Sequence, residues 1–359
     1  MNRPDKIKET GYPVPFIIAG PCSVESREQI MAAAEGIIRT GVRMLRGGLW
    51  KPRTHPGSFE GVGEAGAQWL RDAGKATGMK TATEVANARH VEVILKYGID
   101  AVWIGARTTG NPFLVQEIAD ALKGTELPVL VKNPLVPDPE LWIGAIERLA
   151  ADGRQVFAVH RGFHFYGESL YRNVPFWQIP VELRRRMPEL PVLCDPSHIG
   201  GQRGIVRSIS QQAMALGFDG LMIEVHPDPD KALSDAAQQI TPAELAELLN
   251  SLVMRGNPTP GTEAAAALDS LRSDIDRIDS SLIDLLAERM KISEAIGEIK
   301  EKSRLTVLQT GRWNSVLKKA RTMAKEKDLD EDFITEIFNL IHRASMERQL
   351  GRNTGSGNT

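Results

Sequence analysis

Cysteine is the rarest residue of this 359-residue chain, present only as Cys22 and Cys194. Two cysteines cannot build a disulfide framework, and a reducing compartment would keep both as thiols. An excess of charge of one sign is also missing: 44 Lys and Arg face 46 Asp and Glu, a formal net charge of -2. No basic cluster stands out, so a nucleic-acid partner has no electrostatic footprint. Long apolar runs are absent too, which excludes a bilayer-spanning helix and a membrane partner. The opening stretch MNRPDKIKETGYPVP lacks an apolar signal core, so a cytoplasmic location is expected.

What the chain does have is alternation. From Pro15 to about Val225, short apolar or β-branched runs stop at polar clusters and are followed by Ala/Leu-rich helical segments. The runs are PFIIAGP, VRMLRGG, KTATEV, AVWIGAR, PVLVKN, VFAVHRG, PVLCDPSH and DGLMIEVHP. They are near-continuously apolar, as strands buried on both faces should be. Eight βα units in roughly 250 residues predict a closed (β/α)8 barrel. The rival is an open doubly wound sheet, but GPCSVES after the first run is not the Gly-rich phosphate fingerprint of that fold.

The composition changes near Arg255, where RGNPTPGTE carries Pro and Gly at linker density. We expect a barrel domain over 1–254, a linker over 255–265, an all-α domain of three helices over 266–350, and a disordered tail over 351–359. The first of these helices should run from about Ala264 to Lys302. Leu268, Leu271, Ile275, Ile278, Leu282, Leu285, Ile292, Ile296 and Ile299 form its heptad-like seam. At ~1.5 Å per residue it would be roughly 55 Å long. The residues that follow are too few to cover it, so two copies of the chain should pair through it. The second and third helices should cover about Gln309–Glu326 and Asp330–Leu350.

Barrel enzymes place their chemistry where strands finish. Those ends supply Arg46, Lys51, Arg53, Arg107, Lys132 and Arg161. One such cation alone is more often a solvated surface charge. Six converging on one rim would repel one another unless small, multiply charged anions sat between them. The other ends supply Cys22, His198 and Glu224, with Asp235 just beyond. Taken alone, Cys22 would be an inert buried thiol and His198 a satisfied core histidine. Together, one thiolate, one imidazole and two carboxylates suit one divalent transition ion, without choosing among manganese, iron, cobalt and zinc.

The motifs GPCSVES, RGGLWKPRT, IGART, VKNP, HRG, CDPSHIGG and EVHPDPDKALSD resemble the 3-deoxy-D-arabino-heptulosonate-7-phosphate (DAHP) synthases, in the smaller class related to ketodeoxyoctonate-phosphate synthases. The resemblance covers about Pro13 to Met254, and KPRT separates the chain from the ketodeoxyoctonate branch. It implies condensation of phosphoenolpyruvate with erythrose 4-phosphate and release of phosphate. It also implies Cys22, His198, Glu224 and Asp235 as metal ligands. Arg46, Lys51, Arg107, Lys132 and Arg161 would hold phosphoenolpyruvate, and Arg53 and Thr54 the phosphate of erythrose 4-phosphate. Lys51, crowded by arginines, is expected to have a lowered pKa that suits proton donation. Only about a dozen residues precede the first run, so any regulation is expected from the C-terminal end.

In the first C-terminal helix, Arg289 interrupts the apolar seam, and a charge there is costly unless it is paired. An arginine snorkelling to a helix edge is the plainer alternative. Lys300 returns to nearly the same face, whereas Arg272 lies about 100° away and is better placed to reach a site on a second copy. The stretch from about Leu268 to Leu350 resembles the all-helical chorismate mutases. That resemblance places Arg272, Arg289, Lys300, Gln309, Arg312, Ser345 and Gln349 at active-site positions for the rearrangement of chorismate to prephenate. Lys300 and Gln349 would face the breaking ether oxygen. Gln309 and Trp313 stand where the family carries acidic residues, which puts efficiency in question. The helices could instead serve mainly as a ligand-binding and dimerisation module, with prephenate or chorismate inhibiting the barrel. For the barrel, a synthase using another sugar phosphate is the runner-up.

Overall fold

The computed structural model describes residues 14–52, 57–254 and 261–350. The chain divides into two compact units, Met1–Gly256 and Asn257–Thr359. In the first, eight parallel strands close into a barrel in chain order. They are β1 (Phe16–Gly20), β2 (Met44–Arg46), β3 (Lys80–Val85), β4 (Ala101–Ile104), β5 (Val129–Lys132), β6 (Val156–His160), β7 (Val192–Cys194) and β8 (Gly220–Glu224). All eight apolar runs of the sequence contain one of them. The helices of this unit are α1 (Arg27–Ile38), α2 (Glu64–Thr77), α3 (Ala88–Tyr97), α4 (Ala106–Thr109), α5 (Pro112–Leu122), α6 (Pro139–Ala150), α7 (Gln178–Arg186), α8 (Pro196–Gly200), α9 (Val206–Ala215) and α10 (Pro242–Ser251).

The helices begin where local chemistry tells them to. Ser26 accepts the Gln29 N–H at the start of α1, and Asn111 and Asp138 cap α5 and α6 ahead of a proline in the first turn. Thr241 and Glu244 form a reciprocal capping box on α10. Along each strand, alternate side chains face opposite ways. One set, including Phe16, Ile18, Met44, Trp103, Leu130, Phe157 and Met222, fills the barrel interior, so the barrel is a packed core with its cavity at one end. The other set meets the surrounding helices. At the C-terminal end of β1, a Cβ on Gly20 would lie 2.0 Å from the Arg46 carbonyl oxygen, so only glycine lets the backbone there approach β2.

The second unit is helical: α11 (Glu263–Lys302), α12 (Thr310–Glu326) and α13 (Glu331–Gln349). These bounds follow the predicted ones closely. Of the 40 residues of α11 only Ser293 and Gly297 are buried. The seam is uncovered, with Leu271, Ile275, Ile278, Leu282, Leu285, Ile292 and Ile299 all more than half exposed. The predicted linker lies partly, and the predicted tail wholly, outside the described residues.

Candidate active sites

The C-terminal ends of the strands open into a cavity of about 640 Å³, lined by Lys51, Glu84, Arg107, Lys132, Arg161, Arg172, Asn173, His198 and Asp235 among others. Arg46, Lys132 and Arg161, the last or next residues of β2, β5 and β6, are all buried, and Lys132 and Arg161 line the cavity. Arg46 donates through Nη2 to Glu224 Oε1 at 3.1 Å and lies 4.7 Å over the Trp103 ring. Its Nε and Nη1 are buried and find no hydrogen-bond partner among the described residues. Lys132 Nζ donates to Asp195 Oδ2 at 2.7 Å. Arg161 donates through Nη1 to Asn173 Oδ1 at 2.6 Å, while burial pulls its pKa down to about 10. Arg107 is exposed on the rim in α4. Two of the cations are thus paired with acids inside the bowl, which the repulsion argument from sequence did not foresee. Arg53 and Thr54 lie outside the described residues.

Beneath the cations is an acidic cluster. Ligand atoms of Cys22, Glu224 and Asp235 all lie within 4.8 Å of one another. The Cys22 thiol is 3.2 Å from Asp235 Oδ2. His198 adjoins them, its Nε2 3.7 Å from Glu224 Oε1 and its Nδ1 2.8 Å from Asp195 Oδ2. Burial, with Glu224 and Asp235 adding to it, pushes the Cys22 thiol up to about 12. Against burial, His198 and the cations around them hold the Glu224 and Asp235 carboxyls below their usual range, so of the three it is the thiol that resists ionisation; a divalent ion would hold the sulfur as thiolate. The donor set therefore fits a transition ion.

The expected lowering of Lys51 is corrected. Burial does pull it down, but the acidic groups of Cys22, Glu224 and Glu84 outweigh burial and Arg46, and its pKa is raised. Its Nζ donates to the Cys22 carbonyl oxygen at 3.2 Å. Counting arginines near KPRT missed the acids that β3 and β8 bring to the same place. Also missed were Arg172 and Gln238. Arg172 Nη1 donates to Asp235 Oδ1 at 3.2 Å and to Gln238 Oε1 at 2.8 Å, and Gln238 Nε2 donates to Glu224 Oε2 at 2.7 Å.

In the helical unit, Arg289 donates to the Ser345 hydroxyl between α11 and α13. Lys300 Nζ donates to Gln349 Oε1 at 3.0 Å and to the Val307 carbonyl at 2.6 Å. The four thus form two pairs along the contact of α11 with α13. Gln309 caps α12 without a side-chain bond, and Arg312 is exposed on the first turn of that helix. Among the described residues Arg272 pairs with Asp269 on its own helix, at 3.1 Å. It stands 17 residues before Arg289, roughly 25 Å along the axis, and does not join them.

A strand-end bowl of buried cations over a Cys/His/carboxylate cluster, with a separate three-helix unit carrying its own cations, defines a two-part enzyme. The chain belongs to the DAHP synthetase I family, which matches residues 5–255, and residues 271–350 match chorismate mutase type II. It is 37% identical over 237 residues to a phospho-2-dehydro-3-deoxyheptonate aldolase of Thermotoga maritima, covering 66% of this chain and 68% of that one. A crystal structure of that Thermotoga DAHP synthase matches with a TM-score of 0.60 at 38% identity, over 65% of this chain and 67% of the other. The 2-dehydro-3-deoxyphosphooctonate aldolase of Bordetella pertussis is 28% identical over 263 residues, 66% of this chain and 89% of its own. The chain thus joins a transferase domain to an isomerase domain. No helix among the described residues is long and apolar enough to cross a membrane.

Proposed function

We propose that the barrel condenses phosphoenolpyruvate with erythrose 4-phosphate and one water, which adds at the former enol carbon as phosphate leaves, forming 3-deoxy-D-arabino-heptulosonate 7-phosphate and phosphate. The observation that carries this is Arg46: a wholly buried guanidinium, near Lys132, with two nitrogens that find no hydrogen-bond partner among the described residues. Burying that much positive charge is costly unless an anion completes it. Arg46, Lys51, Arg107, Lys132 and Arg161 would hold the carboxylate and phosphate of phosphoenolpyruvate. Arg53 and Thr54 would hold the second phosphate. Cys22, His198, Glu224 and Asp235 would hold one divalent ion, which supplies Lewis acidity toward the aldehyde. The cations align the enol-phosphate carbon with the aldehyde carbon, so that carbon–carbon bond formation starts from an ordered pair. Lys51, kept protonated by its acidic neighbours, delivers a proton to the new alcohol oxygen.

The test is turnover with both substrates at saturation. Lys51→Met should lower kcat about 100-fold, chelation should abolish activity, and a restored divalent ion should return it. Arabinose 5-phosphate should not replace erythrose 4-phosphate. Near-wild-type turnover by Lys51→Met would remove Lys51 from the chemistry, and preference for the pentose would change the substrate.

For the helical unit we infer rearrangement of chorismate to prephenate. Arg289 and Arg312, with Arg272 of a second copy, would fix two carboxylates. Lys300, Gln349 and Gln309 would complete the pocket, with Lys300 and Gln349 at the ether oxygen and Ser345 orienting Arg289. The exposed seam of α11 supports pairing of two copies. Prephenate or chorismate bound there would inhibit the barrel.

A further inference from the structure

His342 lies on α13 three residues before Ser345 and seven before Gln349, so all three share one helix face. Ser345 accepts from Arg289 and Gln349 accepts from Lys300, which makes this the face turned to the cations of α11. On its other side the imidazole stacks on the indole of Trp313 in α12, with ring centroids 3.9 Å apart and planes 9° from parallel. His342 therefore bridges the cation-bearing helix and an apolar aromatic wall. Its Nε2 is buried and finds no hydrogen-bond partner among the described residues. A buried nitrogen left so is destabilising in the free protein and calls for a ligand that completes it. Burial first, then Arg289 and Lys300, lower its pKa, which keeps the ring neutral.

The ligand of the mutase reading, on which this inference rests, has three kinds of polar group. Two carboxylates and an ether oxygen call for cations and amides, which Arg289, Lys300 and Gln349 supply. The remaining group, a secondary ring hydroxyl, calls for a neutral partner able to donate or accept. We propose that His342 Nε2 binds this ring hydroxyl and makes the site select for it, with the Trp313 indole holding the imidazole in place. Rejection of a ligand that lacks the hydroxyl follows, because the buried nitrogen would then stay unpaired.

The test uses the full chain and two ligands, prephenate and a cyclohexadiene dicarboxylate analogue lacking the hydroxyl, with binding followed by titration calorimetry. Wild type should prefer prephenate by about tenfold. His342→Leu should bring that ratio to about one, chiefly by weakening prephenate, while His342→Gln, which still reaches with an amide, should recover most of it. A ratio unchanged in His342→Leu, or equal weakening of both ligands, overturns the proposal. If His342→Leu does not fold, the Gln variant and the wild-type ratio still decide, since absence of discrimination in wild type overturns it as well. Chorismate turnover by wild type is measured in parallel. Discrimination without turnover sinks the mutase reading and leaves His342 standing; turnover without discrimination does the reverse. Binding of neither ligand ends both.

Discussion

Arg46 is as buried as the leucines beside it, yet it carries a charge that burial penalises by several kcal/mol unless it is matched. Glu224 matches one of its nitrogens, so the remaining edge is a standing demand for an anion. The same carboxylate meets Gln238 on its other oxygen, and Gln238 in turn accepts from Arg172, which also holds Asp235. Gln238 is thus a positioning residue joining two of the proposed ligands through one amide. Replacing it with Leu removes both bonds at similar volume. We predict that Gln238→Leu weakens divalent-ion affinity roughly 10-fold or more, a typical effect of losing a group behind a ligand. Competition with a chelator and the thiolate-to-metal absorption of the cobalt form would measure it, and affinity within twofold of wild type would dismiss the role. The charged strand-end residues were legible in the sequence because a barrel projects them to one rim. Gln238, Asn173 and Trp103 were not, because an amide or indole that acts on another side chain carries no signature of charge or spacing. Lys51 was legible as a position and misread in its electrostatics, since the acids that raise it arrive from β3 and β8 only when the barrel closes.

The elements were easier to read than the contacts between them. Eight apolar runs bounded by turn residues leave little choice but eight strands, and the caps at Ser26, Asn111 and Asp138 are written in place. Strand order, too, follows from the right-handed βαβ rule once the barrel is assumed. A sequence does not show how closely two helices approach. At Gly297 of α11 a Cβ would fall 2.7 Å from the Cα of Gln349, so α13 crosses there only because the side chain is missing. One turn further along α11, Lys300 meets Gln349. Gly297→Ala cannot be accommodated by rotating a side chain, because the obstacle is backbone. Helix α13 must move, at an overpacking cost of about 1–3 kcal/mol. We expect a lower melting temperature for the helical signal and mutase kcat reduced about tenfold, with the barrel rate unchanged in the absence of helical ligands. Thermal melts by circular dichroism and parallel assays test this; wild-type melting together with wild-type mutase activity would show that the crossing tolerates a methyl group.

At the scale of the whole molecule the unresolved demand is the exposed seam. Leu271, Ile275, Ile278, Leu282 and Leu285 each leave more than half of their surface to water. Covering that half gains roughly 1 kcal/mol per residue. A row of such residues at three- and four-residue spacing is a surface made for another helix rather than for solvent. The stranded position of Arg272 makes the same point from the chemical side: about 25 Å from Arg289 on its own helix, it can serve a site of this kind only on a second copy. Pairing through α11 would therefore complete the helical site and bury the seam in one event. The paired variant Ile278→Glu with Leu282→Glu sets like charges on adjacent turns of that surface. It should shift the mass seen by sedimentation from dimer toward monomer at micromolar concentration and abolish chorismate turnover. The condensation rate without effector should be retained, while inhibition by prephenate should be lost with the helical site. A variant that stayed dimeric and kept its mutase would place the pairing surface elsewhere. A monomer still inhibited by prephenate would show that the effector acts on the barrel directly, and coupling between the two units would then be unnecessary.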